Sequence, residues 1–384
     1  MIPQGNLSKQ SLSLHRKLRG KIETKVKARL ANARDLALTY TPGVAAVSKS
    51  IAKNCERAYK YTIKNNTVAV ITDGSAVLGL GNAGPEAAIP VMEGKCAIFK
   101  NFAQVNAFPI CLKTQNTSEI IKIIKNISPI FGGINLEDIS APRCFEIEKR
   151  LSQKLNIPVF HDDQHGTAIV VLAGVINALK VVKKRIKRIK AVINGAGAAG
   201  YAIAKLMHQM GANNIVMLDS KGIISRKRDY LYPHKKKLLK ILAKNPAQGK
   251  IKEALKGADI FIGVSKGNLL KQGDIKIMNG KPIVFALANP EPEIMPDLAK
   301  RGGAVIVATG RSDFPNQINN ALVFPGFFRG LLDARAARVT DQMKLSAARA
   351  LADLIKKPSL NNIIPSIFDR RVVPSVAGAV KAQR

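Results

Sequence analysis

The sequence has no tryptophan and is poor in aromatic and acidic residues. Only 5% of its 384 residues are aromatic, and 26 Asp and Glu residues stand against 61 Lys and Arg residues. Because 46% of the chain is nevertheless apolar, aliphatic side chains must form most of the core. This length and apolar content predict two domains rather than one.

Long apolar runs and targeting signals are also lacking. No run reaches the roughly 18 apolar residues of a membrane span, and residues 1–20 contain no apolar segment typical of a secretory signal. They are basic and free of acids up to Glu23, which is only weakly typical of a transit peptide. The cysteines form no C-x-x-C pair and no zinc-binding spacing, which favours reduced thiols in a cytoplasmic protein. They are Cys55, Cys96, Cys111 and Cys144.

The excess of positive charge, +35, raises the question of a nucleic-acid or membrane partner. The charge is densest over residues 180–190 and 226–240, but neither run has the interleaved aromatic residues of a single-strand-binding surface. No helix-turn-helix, zinc-finger or RNA-recognition signature accompanies them. We therefore interpret the lysines as solvated faces and expect no nucleic-acid and no membrane partner. The positive field would attract an anionic substrate.

The coarse pattern of helices and strands predicts an α/β protein. The first part is expected to contain helices over 21–37 and 118–126, the second capped by Ser118, and strands over 67–72, 97–99, 109–112 and 158–160. From Gly166 the pattern changes to helices over 167–182 and 198–210. The strands expected there cover 191–194, 214–219, 260–264, 283–286 and 304–308.

Strands that alternate with helices across short turns predict a doubly wound parallel sheet. We therefore expect an N-terminal α/β domain, followed by a Rossmann-like cofactor domain with C-terminal helices from about Leu331. The boundary is placed near Gly166, within several residues, with the domains covering 1–160 and 161–384. No internal repeat or low-complexity linker is present.

A glycine-rich turn over residues 195–200 predicts a dinucleotide site. Gly195, Gly197 and Gly200 form G-x-G-x-x-G between a predicted strand and a predicted helix. The first glycine permits the tight turn, the second lets the backbone approach a pyrophosphate, and the third allows close packing of the helix on the strand. The helix N-terminus then offers free N–H groups to the phosphates.

The choice between NAD and NADP stays open at this point. Asp219 ends the next strand, 24 residues after Gly195, where a carboxylate that binds the ribose belongs. Its charge would repel a 2′-phosphate, which favours NAD. Lys221, however, lies two residues later and could neutralise such a phosphate.

Two acidic pairs are conspicuous in a chain with so few acids. Glu137–Asp138 and Asp162–Asp163 could supply the carboxylate oxygens that Mg²⁺ and Mn²⁺ prefer. Each pair alone could equally be a turn with a capping aspartate. His161 and His165 have the i, i+4 spacing of some zinc ligands, but this spacing falls across a predicted turn, so zinc is not expected.

Two further residues are candidates for acid–base chemistry. Lys95 lies in the segment MEGK, ahead of a predicted strand, where a partly buried lysine with a lowered pKa could act as a general base. Tyr40 lies in the turn YTPG and could point a phenol into a cleft. Lys95 is one of 61 basic residues, and Tyr40 lies at one turn among many, so neither residue is distinctive by itself.

Taken together, these segments resemble the malic enzyme family, and its shorter bacterial branch most. The matching segments run through nearly the whole chain in the expected order. They are RDLALTYTPGVA (34–45), TDGSAVLGLGNAGPEAAIPVMEGK (72–95), INLEDISAPRCFEIE (134–148), PVFHDDQHGTA (158–168), NGAGAAG (194–200), ALANPEPEI (286–294) and GRSDFPNQINNALVFPG (310–326).

The resemblance implies oxidative decarboxylation of (S)-malate to pyruvate and CO₂, with NAD or NADP as oxidant and Mg²⁺ or Mn²⁺ at the site. It implies that Lys95 is the general base, tuned by Asp162, and that Tyr40 is the general acid. The implied metal ligands are Glu137, Asp138 and Asp163. Asn289 and Asn320 would hold the substrate carboxylates and lie close to the nicotinamide. The implied pyrophosphate-binding residues are Gly195, Ala196, Gly197, Ala198, Ala199 and Gly200, and Asp219 would bind the ribose.

The sequence departs from the family at one point and leaves others open. Ala76 occupies the substrate-loop position at which the longer branch carries a carboxylate-binding arginine, so another group must bind that carboxylate. Many bacterial members continue into an acetyltransferase-like domain, which is either absent here or removed. The family suggests a homodimer or higher homo-oligomer. The alternatives are a malolactic-type conversion of malate to lactate and, more remotely, a basic nucleic-acid-binding protein on a dehydrogenase fold.

Overall fold

The structure is a computed structural model that describes residues 4–384, and all their side chains except those of residues 4–6 and 78. It contains two sheets. The strands are β1 (Thr67–Thr72), β2 (Asn106–Cys111), β3 (Gly133–Leu136), β4 (Val159–His161), β5 (Lys190–Asn194), β6 (Asn214–Asp219), β7 (Gly222–Ile223), β8 (Ile260–Gly263), β9 (Ile283–Ala286) and β10 (Ile306–Thr309).

Helices connect the strands and cover both sheets. They are α1 (Gln4–Leu18), α2 (Ala33–Thr39), α3 (Val44–Lys53), α4 (Ala58–Tyr61), α5 (Pro85–Ala103), α6 (Thr117–Ile127), α7 (Arg143–Lys154), α8 (Asp162–Val182), α9 (Ala198–Gln209), α10 (Pro233–Leu238), α11 (Ile251–Leu255), α12 (Gln272–Lys276), α13 (Pro296–Arg301), α14 (Phe324–Asp333), α15 (Asp341–Asp353) and α16 (Val372–Lys381).

The first sheet has the order β2-β1-β3-β4, and all its pairs are parallel. Every residue of β1 is buried, which is expected where helices cover both faces of a parallel sheet. Val68 and Val70 pack toward the cluster that includes Phe99 of α5. Ala69 and Ile71 pack toward the opposite cluster, which includes residues of α6 and α7.

The second sheet has the order β10-β9-β8-β5-β6-β7, parallel except for the short β7 at its edge. The chain crosses over between β5 and β8, so the crevice at the carboxyl ends of these strands is the expected ligand position of a doubly wound sheet. Helices α8 and α9 pack together on one side, α15 packs against both, and α16 packs on α14 and α15.

Helix α8 links the two sheets. It is long and apolar enough to cross a membrane, with a mean hydropathy of 1.7, but 72% of this stretch is buried inside the structure. Residues from Ala168 to Val182 contribute to the largest apolar cluster. Its apolar character is therefore that of a central core helix.

The structure corrects four expected elements. The strand expected over 97–99 is part of α5, because Phe99 packs on Phe324 and Phe328 with ring centroids 4.8 and 5.4 Å apart. The helix expected over 21–37 is reduced to α2. The cap of α6 is Asn116, not Ser118, and α8 begins at Asp162 rather than at residue 167. Of the later strands, those over 214–219 and 283–286 agree residue for residue.

Candidate active site

A buried cluster of charged side chains lies where the first sheet meets α5 and α8. The Lys95 ammonium lies 2.5 Å from Asp162 Oδ2 and 2.7 Å from Glu137 Oε1. Lys95 is only 7% exposed and Asp162 is fully buried. The structure therefore brings together a lysine and two acids that are 42 and 67 residues away in the sequence.

Strand topology explains why the two acidic pairs meet. Glu137 and Asp138 follow β3, and Asp162 and Asp163 follow β4, the parallel neighbour of β3. The carboxyl ends of parallel neighbours lie at the same edge of a sheet. Asp162 and Asp163 also form the first turn of α8, where the positive end of the helix dipole favours carboxylates.

Three of these carboxylates lie close enough together to hold a metal ion. Ligand atoms of Glu137, Asp138 and Asp163 all lie within 4.8 Å of one another. The backbone N–H of Asp138 donates to Asp163 Oδ2 at 2.8 Å, and Asp138 adopts a left-handed φ of +51°. A non-glycine residue in this region is uncommon and is often found at functional sites. The all-oxygen donor set fits Mg²⁺ or Mn²⁺.

The charges of the cluster do not balance. One ammonium faces four carboxyl groups. Burial, together with the neighbouring carboxylates, raises the pKa of Glu137 and of Asp162 to about 7 and the pKa of Asp163 to about 6. The charge of Lys95 opposes each of these shifts. The site is therefore short of positive charge, which a divalent cation would supply. This imbalance is a second reason that the residues fit a metal.

The expected lowering of the Lys95 pKa is wrong for the protein without metal. Burial does lower the pKa of Lys95, but Asp162, Glu137 and Asp163 outweigh burial and raise it above its ordinary value. The sequence pattern suggested a partly buried lysine but gave no sign of the two carboxylates that contact it. Lys95 is thus a charged ammonium until the charge around it changes.

Two residues that the sequence did not single out support this cluster. A Cβ atom on Gly166 would lie 1.8 Å from Asp162 Oδ1 and 3.2 Å from Asn320 Cβ, so only glycine leaves room for the Asp162 carboxylate. Phe324 places its ring 4.4 Å from Lys95 Nζ, a cation–π contact. Gly166 is one turn after Asp162 on α8, a spacing that could have revealed its role.

His161 and His165, whose spacing is that of some zinc ligands, lie on either side of the start of α8. His165 Nε2 lies 2.8 Å from Glu148 Oε1, whereas His161 is buried near Asp163. Burial lowers the pKa of His161 to about 4, so this side chain is neutral. The two histidines have different partners and belong to no group of three candidate ligands.

Ala76 lies on the loop that joins β1 to α5. Its N–H donates to the carbonyl oxygen of Asp138 at 2.9 Å, and Asp73 in the same loop forms a 2.8 Å ion pair with Arg143. The position expected to hold arginine in the longer branch thus lies directly beside the metal-site loop. Arg143 is a basic residue at that place which the sequence pattern had not indicated.

The two asparagines lie in different surroundings. Asn320 is half-buried beside Asp162 and Gly166, within the charged cluster. Asn289 is exposed on the loop after β9, where its carbonyl would lie 2.7 Å from a Cβ on Gly79. Asn289 therefore connects the second sheet with the loop that carries Ala76.

Tyr40 stands apart from the other predicted residues. It ends α2, and its side chain is 66% exposed. Among the described residues, the phenol makes no hydrogen bond that would connect it to Lys95 or to the acidic pairs. The structure of one chain therefore does not bring the predicted acid to the predicted base.

A cavity of about 820 Å³ opens at the glycine-rich turn, in the crevice between β5 and β8. Gly195, Ala196, Gly197 and Asp219 line it, and Ala198, Ala199 and Gly200 form the first turn of α9. A Cβ on Gly200 would lie 1.8 Å from the carbonyl oxygen of Gly195, whereas a Cβ on Gly197 would meet nothing. Gly200 is thus required by packing, and Gly197 leaves space that a pyrophosphate would fill.

The cavity and the charged cluster share a loop. Glu137 and Asp138 begin the segment after β3, and Ala141 and Pro142 of the same segment line the cavity. A dinucleotide in the cavity would therefore lie next to the metal site. Asn289 is not among the residues that line this cavity.

Comparison with known proteins decides the family. The profile of the malic enzyme NAD binding domain matches residues 164–383, and that of the malic enzyme N-terminal domain matches residues 19–119 and 114–152. The chain belongs to the malic enzyme family. The predicted resemblance, the two-part α/β fold class and the nicotinamide-type dinucleotide domain are thereby confirmed.

Individual members of the malic enzyme family match almost the full chain. The bifunctional malic/malolactic enzyme of Bacillus subtilis is 52% identical over 98% of this chain and 92% of its own length. The NAD-dependent malic enzyme of Geobacillus stearothermophilus is 54% identical over 98% and 78%, and the NADP-dependent malic enzyme of Halomonas elongata is 46% identical over 96% and 92%. The crystal structure of an NAD-dependent malic enzyme from Thermotoga maritima has a TM-score of 0.94 at 51% identity, covering 97% of this chain and 98% of that one.

Proposed function

We propose that this member of the malic enzyme family oxidises and decarboxylates (S)-malate to pyruvate and CO₂, with NAD or NADP and with Mg²⁺ or Mn²⁺. The observation that carries the proposal is the buried Lys95, held by Asp162 and Glu137 beside three metal-ligating carboxylates. This cluster shares a loop with the dinucleotide cavity. Base, metal ligands and cofactor site thus converge on one place.

Lys95 is the general base in this proposal. Its Nζ removes the proton of the C2 hydroxyl group, and Asp162, at 2.5 Å, orients the amine and balances its charge. Glu137, Asp138 and Asp163 would hold the divalent cation. When bound, that cation supplies positive charge that lowers the Lys95 pKa and stabilises negative charge at the C2 oxygen. A bound nicotinamide supplies the acceptor for the C2 hydride.

In this proposal, the remaining residues bind the substrate carboxylates or donate the proton that converts enolpyruvate to pyruvate. Asn320 lies beside Asp162, where its amide would bind a substrate carboxylate, and Asn289, which lies against the loop that carries Ala76, would bind the other. Tyr40 protonates C3 of the enolpyruvate that remains after loss of CO₂. Positioning of this kind makes up a large part of the rate enhancement of an enzyme.

A malolactic-type reaction is the second candidate, because the Bacillus subtilis relative is named for both activities. The two are separated by incubating the protein with malate, Mn²⁺ and either NAD or NADP. We expect pyruvate and reduced cofactor to form in equal amounts. Lactate without net reduction of the cofactor would contradict the proposal.

The domain boundary, the partners and the cellular location of the protein are proposed as well. We place the domain boundary near residues 160 and 161, at the end of β4 and just before α8 begins at Asp162. Malate is the proposed small-molecule partner, and a homodimer or higher homo-oligomer is the proposed assembly, without nucleic-acid or membrane partners. The cysteine pattern supports the proposed cytoplasmic location.

A further inference from the structure

A second cavity lies next to the dinucleotide cavity, among α7, α8, α9, α10 and α15, and His234 on α10 lines both cavities. Its volume is about 470 Å³, within the usual range for sites that bind small molecules. Of the described residues that line it, none belongs to the proposed catalytic, metal-binding or dinucleotide-binding residues. The proposed function therefore leaves this cavity without a role.

Lys344, on α15, lines this cavity although it is only 8% exposed. A lysine is almost never buried to this extent unless its charge is compensated. An ammonium has three N–H donors, but among the described residues Lys344 donates one hydrogen bond, to Asp341 Oδ1 at 3.3 Å. Two donors of a buried cation are therefore available to a ligand in the cavity.

Asp341 is a weak partner for Lys344 because other groups bind its carboxylate more closely. Its Oδ2 lies 2.7 Å from both Lys205 Nζ and Gln209 Nε2. Burial lowers the pKa of Lys344 by more than the nearby charges of Glu148 and Asp341 raise it. The charge of Lys344 is thus only partly compensated within the chain.

Glu148, the other acid in the cavity wall, binds the start of α8. Its carboxylate accepts hydrogen bonds from the backbone N–H of His161 at 3.1 Å and from the Gln164 amide at 3.2 Å, and it contacts His165 Nε2 at 2.8 Å. These three residues flank the proposed metal ligand Asp163 in the sequence. One wall of the cavity therefore holds the helical turn that carries a proposed metal ligand.

The remaining wall is aromatic, and the lining as a whole is positive. The centroid of the Phe145 ring lies 4.9 Å from that of Tyr201 and 5.2 Å from that of His234, and all three residues line the cavity. The lining contains four lysines but only two acids. An organic anion with a flat apolar part matches both features, because its charge would bind lysine and its flat part would pack on the rings.

We propose that this cavity is a regulatory site, in which a small organic anion with a flat apolar part binds Lys344 and increases the affinity of the metal site for its cation. A carboxylate or a phosphate group would accept hydrogen bonds from the two available donors of Lys344. The binding site itself is independent of the proposed function. Only its effect on the cation rests on that function, through the proposed metal ligands.

Glu148 provides the connection between the two sites. It lines the cavity near Lys344, and it holds the turn of α8 on which Asp163 lies. An anion on Lys344 would add negative charge next to this turn, and negative charge favours a cation at Asp163. Coupling of this kind is reciprocal, so Mn²⁺ should also tighten the binding of the anion.

Calorimetry with phenylacetate and with phenyl phosphate tests the binding site. The protein is first loaded with Mn²⁺ and reduced cofactor, so that the dinucleotide cavity is filled. We expect saturable binding of at least one anion, and the tighter of the two identifies a carboxylate or a phosphate ligand. Phenylacetamide, the neutral analogue of phenylacetate, should bind at least ~10-fold more weakly. No saturable binding of either anion would overturn the proposal.

Substitutions locate the bound anion. Lys344→Met keeps an apolar side chain of similar length and should weaken anion binding at least ~10-fold, whereas Lys154→Met, at an exposed residue of α7 outside the cavity, should not. If Lys344→Met fails to fold, Ser152→Phe fills the cavity from its wall instead and should also prevent binding. Binding that survives in Lys344→Met but is lost in Lys95→Ala would place the anion in the active site and would overturn the proposal.

A Mn²⁺ titration with and without the tighter-binding anion tests the regulatory effect. The anion should make Mn²⁺ bind about 5-fold more tightly, at the lower end of typical coupling between sites, and Lys344→Met should remove this difference. An unchanged Mn²⁺ affinity in the wild type would overturn the regulatory role. Malate oxidation by the wild type without any added anion would show that the proposed function still stands.

Discussion

The buried cluster around Lys95 and the N-terminal segment that carries Tyr40, residues 7–66, are the two regions with the proposed proton transfers. They differ in how many buried contacts fix their side chains in place. Lys95 lies on a helix packed against two strands, and carboxylates from the ends of two neighbouring strands contact it. Tyr40 lies on a short helix in a stretch with no buried residue.

This difference teaches that burial within one chain fixes the position of Lys95, the proposed base, but not that of Tyr40, the proposed acid. Burial in a close-packed core holds a side chain within a few tenths of an ångström because its neighbours leave no alternative. An exposed helix of seven residues has no such neighbours, and a short isolated helix is only marginally stable in water. The two regions should therefore respond differently to substitution.

The largest effect is expected at the base. Lys95→Ala should lower malate oxidation by at least ~10²-fold, the lower range for the removal of a general base. Initial rates with saturating malate and Mn²⁺ measure this loss. Lys100→Ala, an exposed lysine on the same helix, should leave the rate near that of the wild type. A Lys95→Ala rate within a few-fold of wild type would contradict the assignment.

Substitution of Tyr40 should slow the two chemical steps unequally. Tyr40→Phe should reduce pyruvate release by about 10²-fold but slow hydride transfer far less, because the acid acts after decarboxylation. Single-turnover kinetics can follow both steps. Tyr230→Phe, which alters another exposed phenol, is the control. Equal losses in both steps would count against a role for Tyr40 in proton donation.

The metal site is tested by Asp163→Asn. The amide keeps the shape but loses the charge, so Mn²⁺ should bind at least ~10-fold more weakly. Calorimetric titration measures the affinity, with Asp353→Asn, an exposed acid on α15, as the control. Unchanged affinity would mean that the ligand lies elsewhere.

Activity should be nearly as sensitive to substitution of Gly166 as to substitution of the proposed metal ligands. Gly166→Ala places a methyl group where Asp162 Oδ1 now lies, so the carboxylate must move away from Lys95, and a ~10-fold loss in kcat is expected. Gly378→Ala on α16 adds a methyl group that meets nothing and should keep full activity. Full activity of both variants would show that Asp162 does not position Lys95.

The smallest effect concerns pH. The raised pKa values of Glu137, Asp162 and Asp163 mean that the folded protein binds more protons than the unfolded chain between about pH 4 and 7. These carboxyl groups therefore stabilise the metal-free protein at low pH, and that stabilisation is lost as the pH rises through about 6 to 7. Mn²⁺ needs them deprotonated.

The increase in Tm with Mn²⁺ should accordingly be larger at pH 8 than at pH 5.5. Thermal unfolding with and without the metal measures it, and Asp163→Asn should reduce the increase at both pH values. An equal increase in the wild type at both pH values would contradict the charge imbalance described for the cluster.

Local signals allowed much of this protein to be predicted from its sequence. The turn at Gly195 and the strands over 214–219 and 283–286 depend on neighbouring residues and on apolar patterns. The acidic pairs were conspicuous because acids are rare in this chain. The resemblance to the malic enzyme family then gave those residues roles, because it spans motifs along the whole sequence.

The errors arose where distant residues decide the outcome. The short apolar run at 97–99 fits a strand or a buried helix equally well, and only its contacts with Phe324 and Phe328 make it helical. The helical spacing over 21–37 does not correspond to a packed face, since none of these residues is buried among the described residues. The basic run over 226–240 was interpreted as a solvated face, but two of its residues, Arg228 and Lys235, form ion pairs with Asp219.

The sequence by itself therefore determined the family, the dinucleotide turn and the residue types of the site. Only the tertiary structure decided the charge of Lys95, the need for glycine at Gly166 and the exposure of Tyr40. The physical reason is that a pKa, a close contact or a burial depends on groups brought together through space, and no sequence spacing encodes those distances.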